Sequence, residues 1–231
     1  MRFVRWRRGS DQPVSADSLS APTCDANFAV IDVETTGLNP SDTRVIEIAI
    51  VEIDRRGRKL DEFESLVRIP GEGPLGAEFI HRVRREMLDG APEFFEIANQ
   101  VAMMLRGRIV VGHVIAFDIG YLTEEFRRAG MELPELVNAT LCTRELAQRA
   151  LPPGPKSLHA CCAALGIDNE AAHTALGDAR ATADLLTKLI ATSELCDLDE
   201  LSRAASAIRW PLRLPLLPQL GKPRERSLDE N

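Results

Sequence analysis

Hydrophobic positions along this chain fall into short β-rich runs before residue 70 and into helical periods after it. "FAVIDV", "VIEIAIVEI" and "DEFESLVRI" are rich in Val, Ile and Phe and read as three adjacent strands, a meander with "DRRGRK" as the turn between the last two. Past the Pro- and Gly-broken "IPGEGPLG" the period changes. A short helical pattern spans about residues 83–89, and "PEFFEIANQVAMMLRG" reads as a helix with proline at its first turn and glycine at its end. "RIVVGH" predicts a short strand, "AFDIGYLTEEFRRAG" a helix closed by Gly130, and "VNATLCT" another strand. Helical patterns follow at about 143–151, 156–165, 178–190 and 194–208, with "LPPGPK" separating the first two. Strands in hairpins, then strands alternating with helices, predict an α/β fold: a mixed sheet flanked by helices.

The flanks lack this patterning. Residues 1–27 are rich in Arg, then in Ser, Asp, Pro and Ala, and read as a flexible tail with no assigned structure. Residues 191–231 read as a C-terminal helix and a proline-rich tail, which leaves 28–190 as the domain. The length of 231 residues with 45% hydrophobic content suits one domain with a full core. A net charge of -7 excludes a generally basic surface, so any nucleic acid must be held locally. The five cysteines are odd in number and show no CxxC spacing, which argues against a disulfide framework or a zinc site and fits a reducing, cytoplasmic setting. The basic start is not followed by an apolar stretch and no run approaches membrane-spanning length, so neither secretion nor membrane insertion is expected.

Three stretches carry candidate chemistry. In "FAVIDVETTGL", Asp32 and Glu34 stand two residues apart on a strand, project to the same side, and bring two carboxylates toward one point. Such a pair repels unless one is protonated or a hard cation such as Mg²⁺ or Mn²⁺ sits between them. Alone, it reads equally as a solvated strand end. In "GHVIAFDIGYL", Asp118 lies where a buried strand enters an amphipathic helix, the region where α/β sheets bind ligands; alone, it reads equally as a helix cap. In "HTALGDARATADLL", His173 and Asp178 would lie about 140° apart on one continuous helix, so a break at Gly177 is expected. Asp178 then falls in the first turn, with Ala179, Ala183, Leu186 and Ile190 as the buried stripe, and His173 on the approach segment.

Taken together and in this order, "FAVIDVETTGL", "GHVIAFDIGYL" and "HTALGDARATA" resemble the three motifs of the DEDDh (DnaQ-like) 3′-to-5′ exonucleases, a family that includes the proofreading epsilon subunit of bacterial DNA polymerase III, RNase T and oligoribonuclease. The resemblance spans about residues 28–190 and implies a ribonuclease H-like, five-stranded mixed sheet in a single domain. It implies that Asp32, Glu34, Asp118 and Asp178 hold two divalent cations, Mg²⁺ or Mn²⁺, and that His173 is the general base for a water attacking the terminal phosphodiester, releasing nucleoside 5′-monophosphates. By the same similarity, Thr35, Thr36 and Gly37 meet the 3′-terminal nucleotide, Leu38 packs on its base, and His81 in "IHRV" contacts substrate, with a helix-entry histidine as the competing reading of His81.

The match has departures. Val114 stands where many members have Asn, and Arg82 where the family has Gly after its intermotif histidine. The expected partner is nucleic acid with a free 3′ end, DNA favoured, with RNA trimming as the alternative and a non-catalytic nucleic-acid or polymerase-binding module as an alternative of another class. Arg127, Arg128 and the "RRGRK" turn read as a phosphate track or a solvated face. The apolar "PLRLPLLPQL" reads as a docking segment for a DNA polymerase or another replication or repair protein, or as self-packing.

Overall fold

The structure, a computed structural model, describes residues 4–8, 28–169, 171–192 and 198–210. Six strands form one sheet: β1 (Val4–Arg8), β2 (Phe28–Thr35), β3 (Val45–Ile53), β4 (Lys59–Leu66), β5 (Ile109–Gly112) and β6 (Thr140–Cys142). Their spatial order is β1-β4-β3-β2-β5-β6. The pairings β1–β4, β4–β3 and β3–β2 are antiparallel, as the expected meander requires, while β2–β5 and β5–β6 are parallel. The five strands β2–β6 form the expected mixed sheet. Strand β1 is an addition, because residues 1–27 were read as a structureless tail. Its register sets residues 5, 7 and 8 opposite Glu64, Glu62 and Asp61 of β4. Residues 9–27 and the "PLRLPLLPQL" segment lie outside the described residues.

The helices are α1 (Glu78–His81), α2 (Arg85–Leu88), α3 (Phe94–Leu105), α4 (Ile115–Arg128), α5 (Thr143–Ala150), α6 (Leu158–Leu165), α7 (Ala175–Thr192) and α8 (Leu198–Ala207). Strand alternation divides the core in two. Ala29, Ile31 and Val33 of β2 pack with α3 and α4 on one face, while Phe28 and Val30 pack with α5, α7 and α8 on the other. Asp32 and Glu34 continue the second row and so share the face of α7.

Several boundaries differ from the sequence expectation. Helix α3 starts after Pro92, because the Glu96 carboxylate accepts the Glu93 N–H at 2.8 Å and fixes the start at Glu93. The first half of "VNATLCT" is a 3₁₀ turn, Val137–Ala139, and only Thr140–Cys142 joins the sheet. Helix α1 was not foreseen in the broken stretch after β4. Gly177 does not break a helix: α7 runs through it from Ala175. The break is at His173 itself, whose φ of 67° is left-handed. Glycine is needed at 177 for another reason, since a Cβ there would lie 2.1 Å from the Ala171 carbonyl oxygen. Gly→Ala inside a helix ordinarily stabilises by about 1 kcal/mol. Gly177→Ala is expected to reverse that sign and cost roughly 1–3 kcal/mol in denaturant unfolding, as the turn bearing His173 is pushed away.

Candidate active site

Strand β2 ends in a carboxylate pair because its buried run continues past the point where the core closes. A register shift between Glu34 and Thr35 then turns the chain, so that Thr35–Leu38 leave the sheet above the C-terminal ends of β2 and β5. Helices from both faces converge there. From one side, α7 brings Asp178, and carboxylate oxygens of Asp32, Glu34 and Asp178 lie within 4.8 Å of one another. From the other, α4 brings Asp118, buried in its first turn and standing outside that trio. Gly112 makes room for it, as a Cβ on Gly112 would sit 2.9 Å from Asp118 Oδ2. Asp118 makes no cap bond at Val114; the main-chain N–H groups of Asp118 itself and of Val33 favour its charged carboxylate. At the N-cap itself, Val114 offers no side-chain acceptor.

The cluster is strained electrostatically. Burial, with Asp118, Asp178, Glu34 and Glu47 nearby, holds the Asp32 carboxyl well above the usual range. Burial and the neighbouring Glu47 and Asp178 push Glu34 up to about 7. Asp118 is pushed up to about 8 by burial and by Glu34, against the pull of main-chain N–H groups. An all-oxygen donor set with this much unrelieved repulsion fits hard divalent cations.

Glu47 is a member that sequence reasoning missed. It lies directly across from Glu34 in the β2–β3 register, is buried, and accepts the Ala175 N–H at 3.1 Å, capping the helix that carries Asp178. Burial pushes it, too, up to about 7. The available signal was an acid inside an otherwise apolar run next to the Asp32 strand, but only strand register gives it a neighbour.

The histidines behave differently from one another. His173 is exposed on the turn before α7, and its main-chain N–H donates to Asp178 Oδ2 at 3.2 Å. Its imidazole has no hydrogen-bond partner among the described residues. Asn169 Nδ2 donates to the other Asp178 oxygen at 3.3 Å. His81, expected as a substrate contact, is buried, and both ring nitrogens are used: Nδ1 accepts the Val83 N–H at 3.1 Å and Nε2 lies 3.1 Å from the Leu75 carbonyl. The imidazole thus staples the loop from 75 to 83.

Thr35 Oγ1 donates to the Gly37 carbonyl at 2.7 Å, and Thr36 Oγ1 accepts the Arg44 N–H at 3.0 Å, leaving the Thr36 proton free to donate. Leu38 is 87% exposed. The loop they belong to is fixed from α4. Tyr121 Oη, fully buried, contacts the Gly37 carbonyl at 2.7 Å and Thr43 Oγ1 at 2.6 Å. Glu125 pairs with Arg44 at 2.7 Å and Arg128 at 3.0 Å. Arg128 also donates to the carbonyls of Pro40, Ser41 and Thr43. Arg127 pairs with Glu124. Both arginines are therefore engaged within the protein rather than standing as a free phosphate track.

A carboxylate cluster at the C-terminal ends of the strands of a ribonuclease H-like mixed sheet, with a histidine on the adjoining turn, defines a metal-dependent nuclease. The chain belongs to the RNase T exonuclease family, whose profile matches residues 29–186. It is 33% identical over 182 residues to the PolC-type DNA polymerase III of Halalkalibacterium halodurans, a match covering 77% of this chain but 12% of that much longer protein. It is 30% identical over 189 residues to the DNA polymerase III epsilon subunit of Pasteurella multocida, covering 78% of this chain and 75% of that one. Among solved structures it resembles exonuclease X in complex with 5′-overhanging duplex DNA, with a TM-score of 0.58 and 26% identity over 77% of this chain and 99% of that one. The family is one of metal-dependent 3′-to-5′ exonucleases. None of the described helices is long and apolar enough to cross a membrane.

The raised carboxyls have a sign that can be tested. Glu34 and Glu47 at about 7 and Asp118 at about 8 lie above unfolded-state values near 4, so the metal-free folded state holds more protons than the unfolded state between those limits. Their contribution to stability is fully present below about pH 4 and is lost as pH rises through 7 to 8. Thermal melts in EDTA are expected to show Tm falling across this window, and added Mg²⁺ or Mn²⁺ to restore it at pH 8. A metal-insensitive Tm at pH 8 would contradict a cation site here.

Proposed function

We propose that this chain removes nucleotides from the 3′ end of DNA, in repair or proofreading, by hydrolysing the terminal phosphodiester to release nucleoside 5′-monophosphates. The observation that carries this reading is the convergence of Asp32, Glu34 and Asp178 oxygens within 4.8 Å, beside Asp118 and next to a histidine whose ring is uncommitted among the described residues. In this reading Asp32, Glu34 and Asp178, with Asp118 beside them, would hold the divalent cations that the family implies. Bound Mg²⁺ or Mn²⁺ supplies Lewis acidity, making a water acidic and stabilising charge on the departing 3′ oxygen.

The chain's own groups do the rest. His173 accepts the proton of the attacking water through a ring nitrogen, a role suited to a side chain whose ordinary pKa is about 6.5. Its turn is pinned through the main chain to Asp178, so the imidazole stays beside the acids. The Thr36 hydroxyl and the Thr35–Gly37 main chain orient the terminal nucleotide, and Leu38 supplies apolar surface for its base. Residues 28–190 form the catalytic unit, with α8 packed against it. The resemblance to a polymerase subunit supports a cytoplasmic protein that works with a separate polymerase chain.

Incubation with 3′-labelled single-stranded DNA, mismatched duplex and RNA, in Mg²⁺, Mn²⁺ or EDTA, tests this. Metal-dependent mononucleotide release from DNA is expected, abolished in Asp32→Ala. Release from RNA alone would move the substrate to RNA, and no release from any substrate would end the enzymatic reading. His173→Ala is expected to slow cleavage by roughly 10²- to 10⁴-fold while calorimetric metal affinity stays near that of the wild type. Collapse of metal affinity would make His173 a ligand instead of a base.

A further inference from the structure

Both carboxylate oxygens of Asp178 are tied to the chain segment that precedes α7. Oδ2 accepts the His173 main-chain N–H at 3.2 Å, and Oδ1 accepts Asn169 Nδ2 at 3.3 Å. Asn169 is partly buried, and its amide oxygen is buried with no hydrogen-bond partner among the described residues. An ionised carboxylate only accepts, so the amide must turn its nitrogen to Asp178 and its oxygen away. A buried acceptor left unmet is costly, and such a group calls for an explanation beyond packing. The explanation lies at the other end of the amide.

The chain between the two residues is folded back on itself. The Ala172 N–H donates to the Asn169 carbonyl at 3.2 Å, and Thr174 Oγ1 donates to the Ala171 carbonyl at 2.9 Å. The Gly177 N–H donates to Thr174 Oγ1 at 3.1 Å and the Asp178 N–H to the Thr174 carbonyl at 3.0 Å. Within this turn His173 is held in the left-handed region, a conformation that persists only where its surroundings enforce it. A carboxylate offers about four lone-pair sites. The bonds from Asn169 and His173 take one on each oxygen, and sites remain on both for a cation. One side chain can therefore hold a cation and the turn that carries the imidazole, and negative charge on it strengthens both bonds.

We propose that Asn169 is a positioning residue that, through Asp178, couples the cation site to the placement of His173. Its amide fixes the rotation of the Asp178 carboxylate, so that this ligand and the His173 turn order together when the site is filled. This rests on the reading of Asp178 as a cation ligand. Groups that orient a metal ligand matter at this level, since their loss costs about 10- to 100-fold in metal affinity or activity.

The test reads the site and the turn separately. The full chain is titrated with Mn²⁺ by calorimetry, amide exchange of residues 171–176 is followed with and without Mn²⁺, and cleavage of 3′-labelled single-stranded DNA is measured at saturating Mn²⁺. In the wild type, Mn²⁺ is expected to slow exchange across 171–176. Asn169→Leu keeps the shape but removes both the donor and the unmet oxygen, so its Tm in EDTA is expected to stay within about 2 °C of the wild type. Its Mn²⁺ affinity is expected to fall roughly tenfold or more and its kcat roughly 10- to 100-fold, with KM within about twofold, and the Mn²⁺-dependent slowing at 171–176 to be lost. Should Asn169→Leu unfold, Asn169→Ala is read on the same scale, with exchange of the β2 amides as the check on the core. Either wild-type Mn²⁺ affinity or unchanged Mn²⁺-dependent exchange in the folded variant would overturn this proposal alone. A wild type that shows the coupled exchange but cleaves nothing would end the enzymatic reading and leave this one standing, whereas a wild type that binds no Mn²⁺ would overturn both.

Discussion

Carboxylates that repel one another at the end of a buried strand are the constraint on which the rest of the structure depends. Asp32 lies in the row of β2 that faces α7, with Glu34 two residues on and Glu47 across the ladder. Burial in low dielectric makes each negative charge costly, and each neighbour makes it worse, which is why these carboxyls are displaced upward. The fold tolerates the cluster by aiming main-chain donors into it: Ala175 to Glu47 and His173 to Asp178. These bonds do not neutralise the charge. They fix its geometry and leave the deficit for a cation.

Helix α4 links that cluster to the segment assigned to the substrate. Asp118, Tyr121, Glu125 and Arg128 recur at spacings of three and four residues, within roughly 80° of one helical face. The first reaches the acids and the other three grip the loop from Gly37 to Val45. A buried carboxylate with two arginines is weak evidence for net stability, because desolvating the ions offsets their attraction. Its clearer effect here is geometric, since Glu125 also accepts the Val45 N–H at 3.2 Å and so fixes where β3 begins. The same helix thus sets the distance between the acids and the Leu38 loop.

Helix α7 plays the matching part on the opposite face. Its N-terminus is capped by Glu47 from the sheet, and its first turn must approach Ala171 so closely that only glycine fits at 177. That approach holds the His173 turn against Asp178. His173 is left-handed where the chain turns beside Asp178, which places backbone strain at the carboxylate cluster.

By itself the sequence determined most of the element types, the meander and the mixed sheet, and its resemblance to a family's motifs singled out four acids and a histidine. The elements follow from local patterning: alternation along β2 and β3, and helical periods in α3, α4 and α7. It was silent wherever partners are distant. Glu47 gained a role through register with Glu34, Tyr121 and Arg128 through contacts some eighty residues away in sequence, and β1 through its pairing with the distant β4. His81 and Gly177 were legible as special but not as what they are, because one is explained by the carbonyl and N–H that its ring meets and the other by the oxygen that a side chain would strike. Local pattern decides which groups are made; only the tertiary structure decides which groups meet, since burial, register and close approach arise between segments the sequence keeps apart.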